Sequence, residues 1–239
     1  MFGYYYGFDL TYIVLVLPCM IFAMIASARV NSTFAKYSKV LSFRQLTGAE
    51  AAQRVLRANG VSGVRIERVG GHLSDHYDPR TNVIRLSDSV YSSTSVAAIG
   101  VACHEAGHAV QYAKAYAPIK LRAAIIPVTN IGSKLAMPLI LLGILFSFAG
   151  NMSYTFIYAG IACFGLSLVF QRVTLPGEFN ASHRALVAIE EGNLLTDEER
   201  KGARRTLTAA AMTYVAATAV ALAQLLRLLV LFGGRRRND

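Results

Sequence analysis

Charged side chains are scarce in this chain. Asp, Glu, Lys and Arg make up 16% of its 239 residues, against roughly 25% in an average soluble protein, while apolar residues reach 54% and mean hydropathy is +0.41. So little charge excludes an ordinary soluble domain and describes an integral membrane protein. Acidic residues are the scarcer sign, 14 against 24 basic, which leaves a net charge of +10. That excess does not require nucleic acid, because Lys and Arg concentrate in two segments between apolar runs, where membrane topology accounts for them. Cysteine is rare as well. Cys19, Cys103 and Cys163 are scattered and form no C-x-x-C pair, which argues against a disulfide framework or a thiolate zinc site and leaves them as packing residues.

The apolar residues fall into long runs. The first, 8–28, starts at Asp9 and closes at Arg29, without a basic leader or a convincing cleavage site, and reads as a retained span. Tyrosines at 4, 5, 6 and 12 suit an interfacial aromatic belt. Segments 123–149 and 153–170, whose apolar runs are separated only by Gly150-Asn151-Met152, read as a tight transmembrane hairpin. A fourth candidate, 206–232, contains Arg227 and precedes the basic tail 233–239, so it either spans the membrane or lies at the interface.

A polar region, 29–122, lies between the first two spans. Thr47 can cap a helix from Gly48 to Ala58, with Ala51, Ala52, Val55 and Leu56 on one stripe and Asn59-Gly60 as its stop. Alternating segments Val64–Val69 and Asn82–Leu86 suggest a β-hairpin over 64–86. By strand addition, Asn82–Leu86 could also pair with a substrate backbone. The pattern over 95–115 is helical again, and Pro118, Pro127 and Pro138 should break or kink the path beyond it.

The 95–115 helix carries His104-Glu105-Ala106-Gly107-His108. Residues four apart differ by about 400°, so the two imidazoles project from one side and can grip one metal ion. Glu105, turned by about 100°, is kept from competing as a ligand yet stays close enough to take a proton from metal-bound water. Small Ala106 and Gly107 permit close packing. Peptide hydrolysis by zinc-activated water needs this arrangement.

A catalytic zinc takes a third protein ligand and keeps one position open. No histidine follows at the metzincin offset, which leaves His72, His76, His183, Glu178 and the acids of 190–199. Glu178 is favoured. It follows Pro176, which suits a helix's first turn, and would open a helix over 177–191 just after the third span. Ser182, one turn on, could hydrogen-bond a ligand. His183 or Arg184 could stabilise an oxyanion.

The chain resembles the YugP-type multi-pass membrane zinc metallopeptidases, among the gluzincin-like H-E-x-x-H enzymes. The likeness runs through Gly71 to Pro79, Arg85-Leu86-Ser87, Val101 to Tyr116, Leu121-Arg122, Gly132-Ser133 and Leu175 to Ser182. It implies zinc-binding histidines at 104 and 108, a general base or acid at Glu105, and a third ligand at Glu178. Asn180 departs from the resemblance, since the family often has an acid there.

The fold expected is a mainly α membrane protein of three or four transmembrane helices, with a small α+β zincin-like metallopeptidase domain. The expected activity is zinc-dependent hydrolysis of protein or peptide substrates at the bilayer. Thirteen Lys plus Arg in 29–122 and six in 171–205, against none in 150–152, place the active site on the cytoplasmic face. Arg235–Arg237 conflict with that orientation if four spans cross completely. Intramembrane cleavage is disfavoured because Tyr91-Ser92-Ser93-Thr94-Ser95 shortens the apolar stretch before His104. The alternative from another class, a non-catalytic zinc-stabilised scaffold, would have no need of Glu105.

Overall fold

A computed structural model describes residues 9–146 and 151–233. The tyrosines at 4–6, the Gly150 end of the short turn and the arginines at 235–237 lie outside the described residues. The chain divides into two compact units. One comprises Met1–Ile25, Leu121–Thr174 and Tyr214–Asp239, the other Ala26–Lys120 and Leu175–Thr213.

Mainly helical structure dominates both. A π-helical turn Tyr12–Val16 leads into α1 (Leu17–Tyr37), and α2 (Gly48–Ala58) follows. Three short strands come next, β1 (Arg65–Val69), β2 (His76–Asp78) and β3 (Val83–Ser87). Then come α3 (Asp88–Tyr91), α4 (Val96–Ala113), α5 (Ala117–Leu145), α6 (Asn151–Glu191) and α7 (Asp197–Gly233). Among the described residues, four helices are long and apolar enough to cross a membrane: Tyr12–Tyr37, α5, α6 and α7.

In the unit built on Ala26–Lys120 and Leu175–Thr213, α2 begins and ends where its sequence signals stand. Thr47 Oγ1 accepts from the Glu50 N–H at 3.2 Å while Glu50 Oε2 accepts from the Thr47 N–H at 2.9 Å, a complete capping box. Its predicted stripe of Ala51, Ala52, Val55 and Leu56 is buried. Helix α4 starts at Ser95, whose hydroxyl accepts from the Ala98 N–H at 3.2 Å, and its buried residues surround the axis. Such a helix belongs inside a core rather than on a surface. It packs against α2, α3 and the sheet.

The sheet corrects two expectations. Strand order is β1-β3-β2, with β1 parallel to β3 and β2 antiparallel to it. Segments 64–69 and 82–86 therefore pair, but in parallel, and the antiparallel partner of β3 is the short strand inside the polar stretch between them. As the central strand, β3 has both edges occupied, which removes it as a substrate-pairing edge. Asp78 opens the turn into β3. Its carboxylate accepts from the Arg80 N–H and the Thr81 hydroxyl, contacts that hold it down to about 2.

In the other unit, α5 and α6 run antiparallel at backbone distance. A Cβ on Gly143 would stand 2.8 Å from the Ser153 carbonyl, and one on Gly160 would stand 2.8 Å from the Ala136 carbonyl. Ser153 Oγ donates to the Gly143 carbonyl at 2.6 Å, and the Ser133 and Ser167 hydroxyls meet at 2.7 Å. Small residues and hydroxyl bonds are the common means of helix association where lipid removes the hydrophobic drive. Arg227 is buried within this unit. It pairs with Asp9 at 3.0 Å and lies over the Tyr12 ring, 5.3 Å from its centroid.

One proline corrects an expectation. Pro127 and Pro138 lie inside α5, and Pro176 lies inside α6 rather than opening a new helix at 177. Glu178 is thus carried on an uninterrupted helix.

Candidate metal centre

The Ser95 cap fixes where α4 begins, and two further turns bring His104 and His108 to one side of it. Their rings lie 4.7 Å apart, edge to face at 83°. Glu105 is buried on the neighbouring face of the same turn. Gly107 faces α6, where an added Cβ would stand 2.7 Å from the Ala181 carbonyl oxygen. That hydrogen-only position lets the two helices approach closely enough for Glu178 to reach the histidines.

Glu178 Oε2 stands 3.4 Å from His104 Nε2 and 3.4 Å from His108 Nε2. All three offer donor atoms within 4.8 Å of one another. Two donors around a tetrahedral ion with bonds of about 2.0–2.2 Å are separated by about 3.4 Å, so this N, N, O set fits zinc. The Glu178 side chain is only 4% exposed, and those of His104 and His108 are 16% and 10% exposed. Burying a carboxylate to this degree is costly without a compensating charge or metal. Burial opposes a charged His108 ring, yet its contact with Glu178 and the nearby Glu105 charge raise its proton affinity above the ordinary imidazole value.

The polar atoms behind the histidines are also in place. Ser182 Oγ meets His104 Nδ1 at 3.1 Å, the bond that its position one turn beyond Glu178 suggested. Behind His108 stands Gln111, fully buried, with Oε1 3.0 Å from Nδ1. Gln111 and its partner Asn180 were not read from the sequence as part of the site. The only local signal is that Gln111 follows His108 by three positions on the same helix; the groups that complete its contacts lie on α6.

Other candidates fall elsewhere. His72 packs edge-on against Phe34 at 5.6 Å, and His76 Nδ1 lies 2.8 Å from the Ser74 carbonyl. Of the 190–199 acids, Glu190 pairs with Arg200 at 2.6 Å, Glu198 with Lys201 at 2.6 Å and Asp197 with Arg200 at 3.2 Å, while Glu199 accepts from the Thr196 N–H at 2.8 Å. His183 and Arg184 line a cavity of about 300 Å³ with Val55, Asn59 and Val110, and none of His104, Glu105, His108 or Glu178 lines it. An oxyanion role at the histidine cluster therefore gains no support for either residue.

Comparison with known proteins follows the same outline. A family model described as "Putative neutral zinc metallopeptidase" matches residues 12–233. The "Putative membrane protease YugP" of Bacillus subtilis (strain 168) is 45% identical over 214 residues, covering 89% of this chain and 93% of the relative. No solved structure matches the chain.

Proposed function

The chain belongs to the "Putative neutral zinc metallopeptidase" family, and we propose that it is a membrane-embedded zinc peptidase hydrolysing peptide bonds of membrane or membrane-associated proteins and peptides. The observation carrying this reading is the single carboxylate oxygen of Glu178, 3.4 Å from both imidazole Nε2 atoms. His104, His108 and Glu178 are the proposed ligands. Zinc held there would lower the pKa of a bound water towards about 7 and polarise the scissile carbonyl.

Glu105 is the proposed general base. Its carboxylate accepts the proton of the attacking water and delivers it to the departing amine, so one residue serves both halves of the hydrolysis. Its burial keeps bulk water from screening the carboxylate. The proposed site faces the cytoplasm, in keeping with the Lys and Arg count of 29–122 and 171–205.

The test is to purify the protein in detergent, quantify bound zinc, and compare casein cleavage by the wild type and Glu105→Gln. Retained zinc with a loss of about 10²–10⁴-fold in rate is expected for removal of a general base. Equal cleavage by the two zinc-loaded proteins sinks the assignment of Glu105, and no cleavage by the zinc-loaded wild type leaves a zinc-stabilised scaffold.

A further inference from the structure

Four side chains form a continuous hydrogen-bonded line from the cavity beside α6 to the candidate metal site. Arg184 Nε donates to Asn180 Oδ1 at 2.7 Å. Gln111 Nε2 donates to the same oxygen at 3.0 Å and to the Gly177 carbonyl at 2.7 Å. Gln111 Oε1 then faces His108 Nδ1 at 3.0 Å.

The order of donors and acceptors along this line has one consistent solution. A guanidinium can only donate, so the Asn180 atom meeting Arg184 must be its oxygen. That oxygen and the Gly177 carbonyl can only accept, so both Gln111 amide hydrogens are committed and its carbonyl must point at His108. A carbonyl oxygen accepts, so Nδ1 of His108 carries the ring proton. The neutral ring therefore presents a bare lone pair at Nε2, the atom that faces Glu178.

We infer that Arg184, Asn180 and Gln111 are positioning residues that fix the His108 tautomer and the angle of its ring, so that Nε2 is ready to bind zinc. Gln111 has a second effect. Its bond to the Gly177 carbonyl ties α4 to the residue next to Glu178, so one amide registers two ligands against each other. His104 lacks such a determinant, because the hydroxyl of Ser182 can either donate or accept. The two histidines are thus held by different means, and His108 is the one whose proton the fold dictates.

The inference rests on the zinc peptidase reading for its purpose, but its first readout needs no metal. The protein has five histidines, so ¹⁵N-histidine labelling of the metal-free protein in detergent, with His108→Asn to assign its signal, reports which nitrogen is protonated at a pH where the rings are neutral. The wild type should show Nδ1–H, and Gln111→Met should lose that preference. Zinc affinity, measured by chelator competition, should fall about 10–100-fold in Gln111→Met and in Asn180→Leu, the usual effect of deleting an outer partner of a ligating histidine. Asn180→Asp, which still offers Arg184 and Gln111 an acceptor, should retain both the tautomer and near-wild-type affinity, a rescue that packing alone does not predict.

An Nε2–H signal for His108 in the wild type overturns the inference. So does zinc affinity within about two-fold of wild type in both Gln111→Met and Asn180→Leu, against the range expected for such partners. If the wild type binds no zinc, the peptidase reading fails while the nitrogen signal still decides the tautomer.

Discussion

At the scale of single residues, the site depends on one atom being absent. Gly107 has a hydrogen where a Cβ would press on the Ala181 carbonyl at 2.7 Å, a backbone contact that cannot rotate away. Gly107→Ala should push α6 off α4 and draw Glu178 from the histidines. Its zinc affinity should fall although alanine is the better helix former. Chelator competition checks this, and unchanged affinity would show that the helices are not held at the contact. Glu178→Ala should lose most of the bound zinc, by the same measurement. His104, Glu105 and His108 were legible because helical periodicity relates each to a neighbour within a turn, whereas Glu178 was favoured on a helix start after Pro176 that the structure replaces with a continuous helix, and Ser182 on its place one turn beyond Glu178. Gln111 and Asn180 were not legible, since the polar side chains they satisfy are brought together only when α6 packs on α4. Local spacing holds no record of that packing.

At the scale of elements, ends were easier to read than partners. The Thr47 cap is a short-range hydrogen bond between residues three apart, so sequence alone locates it, and the Ser95 cap, which was not read from the sequence, is a bond of the same span. Strand direction is different. Val64–Val69 and Asn82–Leu86 had the right alternation for strands, but whether two strands run parallel depends on what lies between them, here β2 inserted at the far edge of β3. Pro176 misled in a similar way. A proline interior to a helix costs about 3 kcal/mol or more by removing a hydrogen bond, which made a break at 176 reasonable, yet α6 continues through it. The capping box gives this scale its prediction. Thr47→Ala should destabilise the protein by about 1 kcal/mol and lower Tm by about 2–4 °C for a chain of this length. Thermal unfolding in detergent measures it, and an unchanged Tm would mean that α2 is held by its buried stripe alone.

At the scale of the whole molecule, composition announced the membrane and the positions of charge suggest an orientation. The compact units follow the same division. One gathers the chain around the apolar segments, while the other gathers Ala26–Lys120 and Leu175–Thr213, the basic connections after the first and third candidate spans. Two crossings separate these connections, so four complete spans put both on one side of the bilayer. We propose that this side is the cytoplasm, because their basic residues outnumber those of the short second connection. Arg235–Arg237 would then lie outside, a charge placement that the nineteen basic residues of the two connections outweigh. Phe43 provides the probe. It lies in the Ala26–Lys120 segment, is 82% exposed, and is outside every proposed ligand contact. In a background with Cys19, Cys103 and Cys163 replaced by serine or alanine, Phe43→Cys should react with a membrane-impermeant maleimide only after expressing cells are permeabilised. Labelling of intact cells at the same rate would place the histidine cluster's unit outside and would turn the search for substrates from cytoplasmic segments to extracytoplasmic ones.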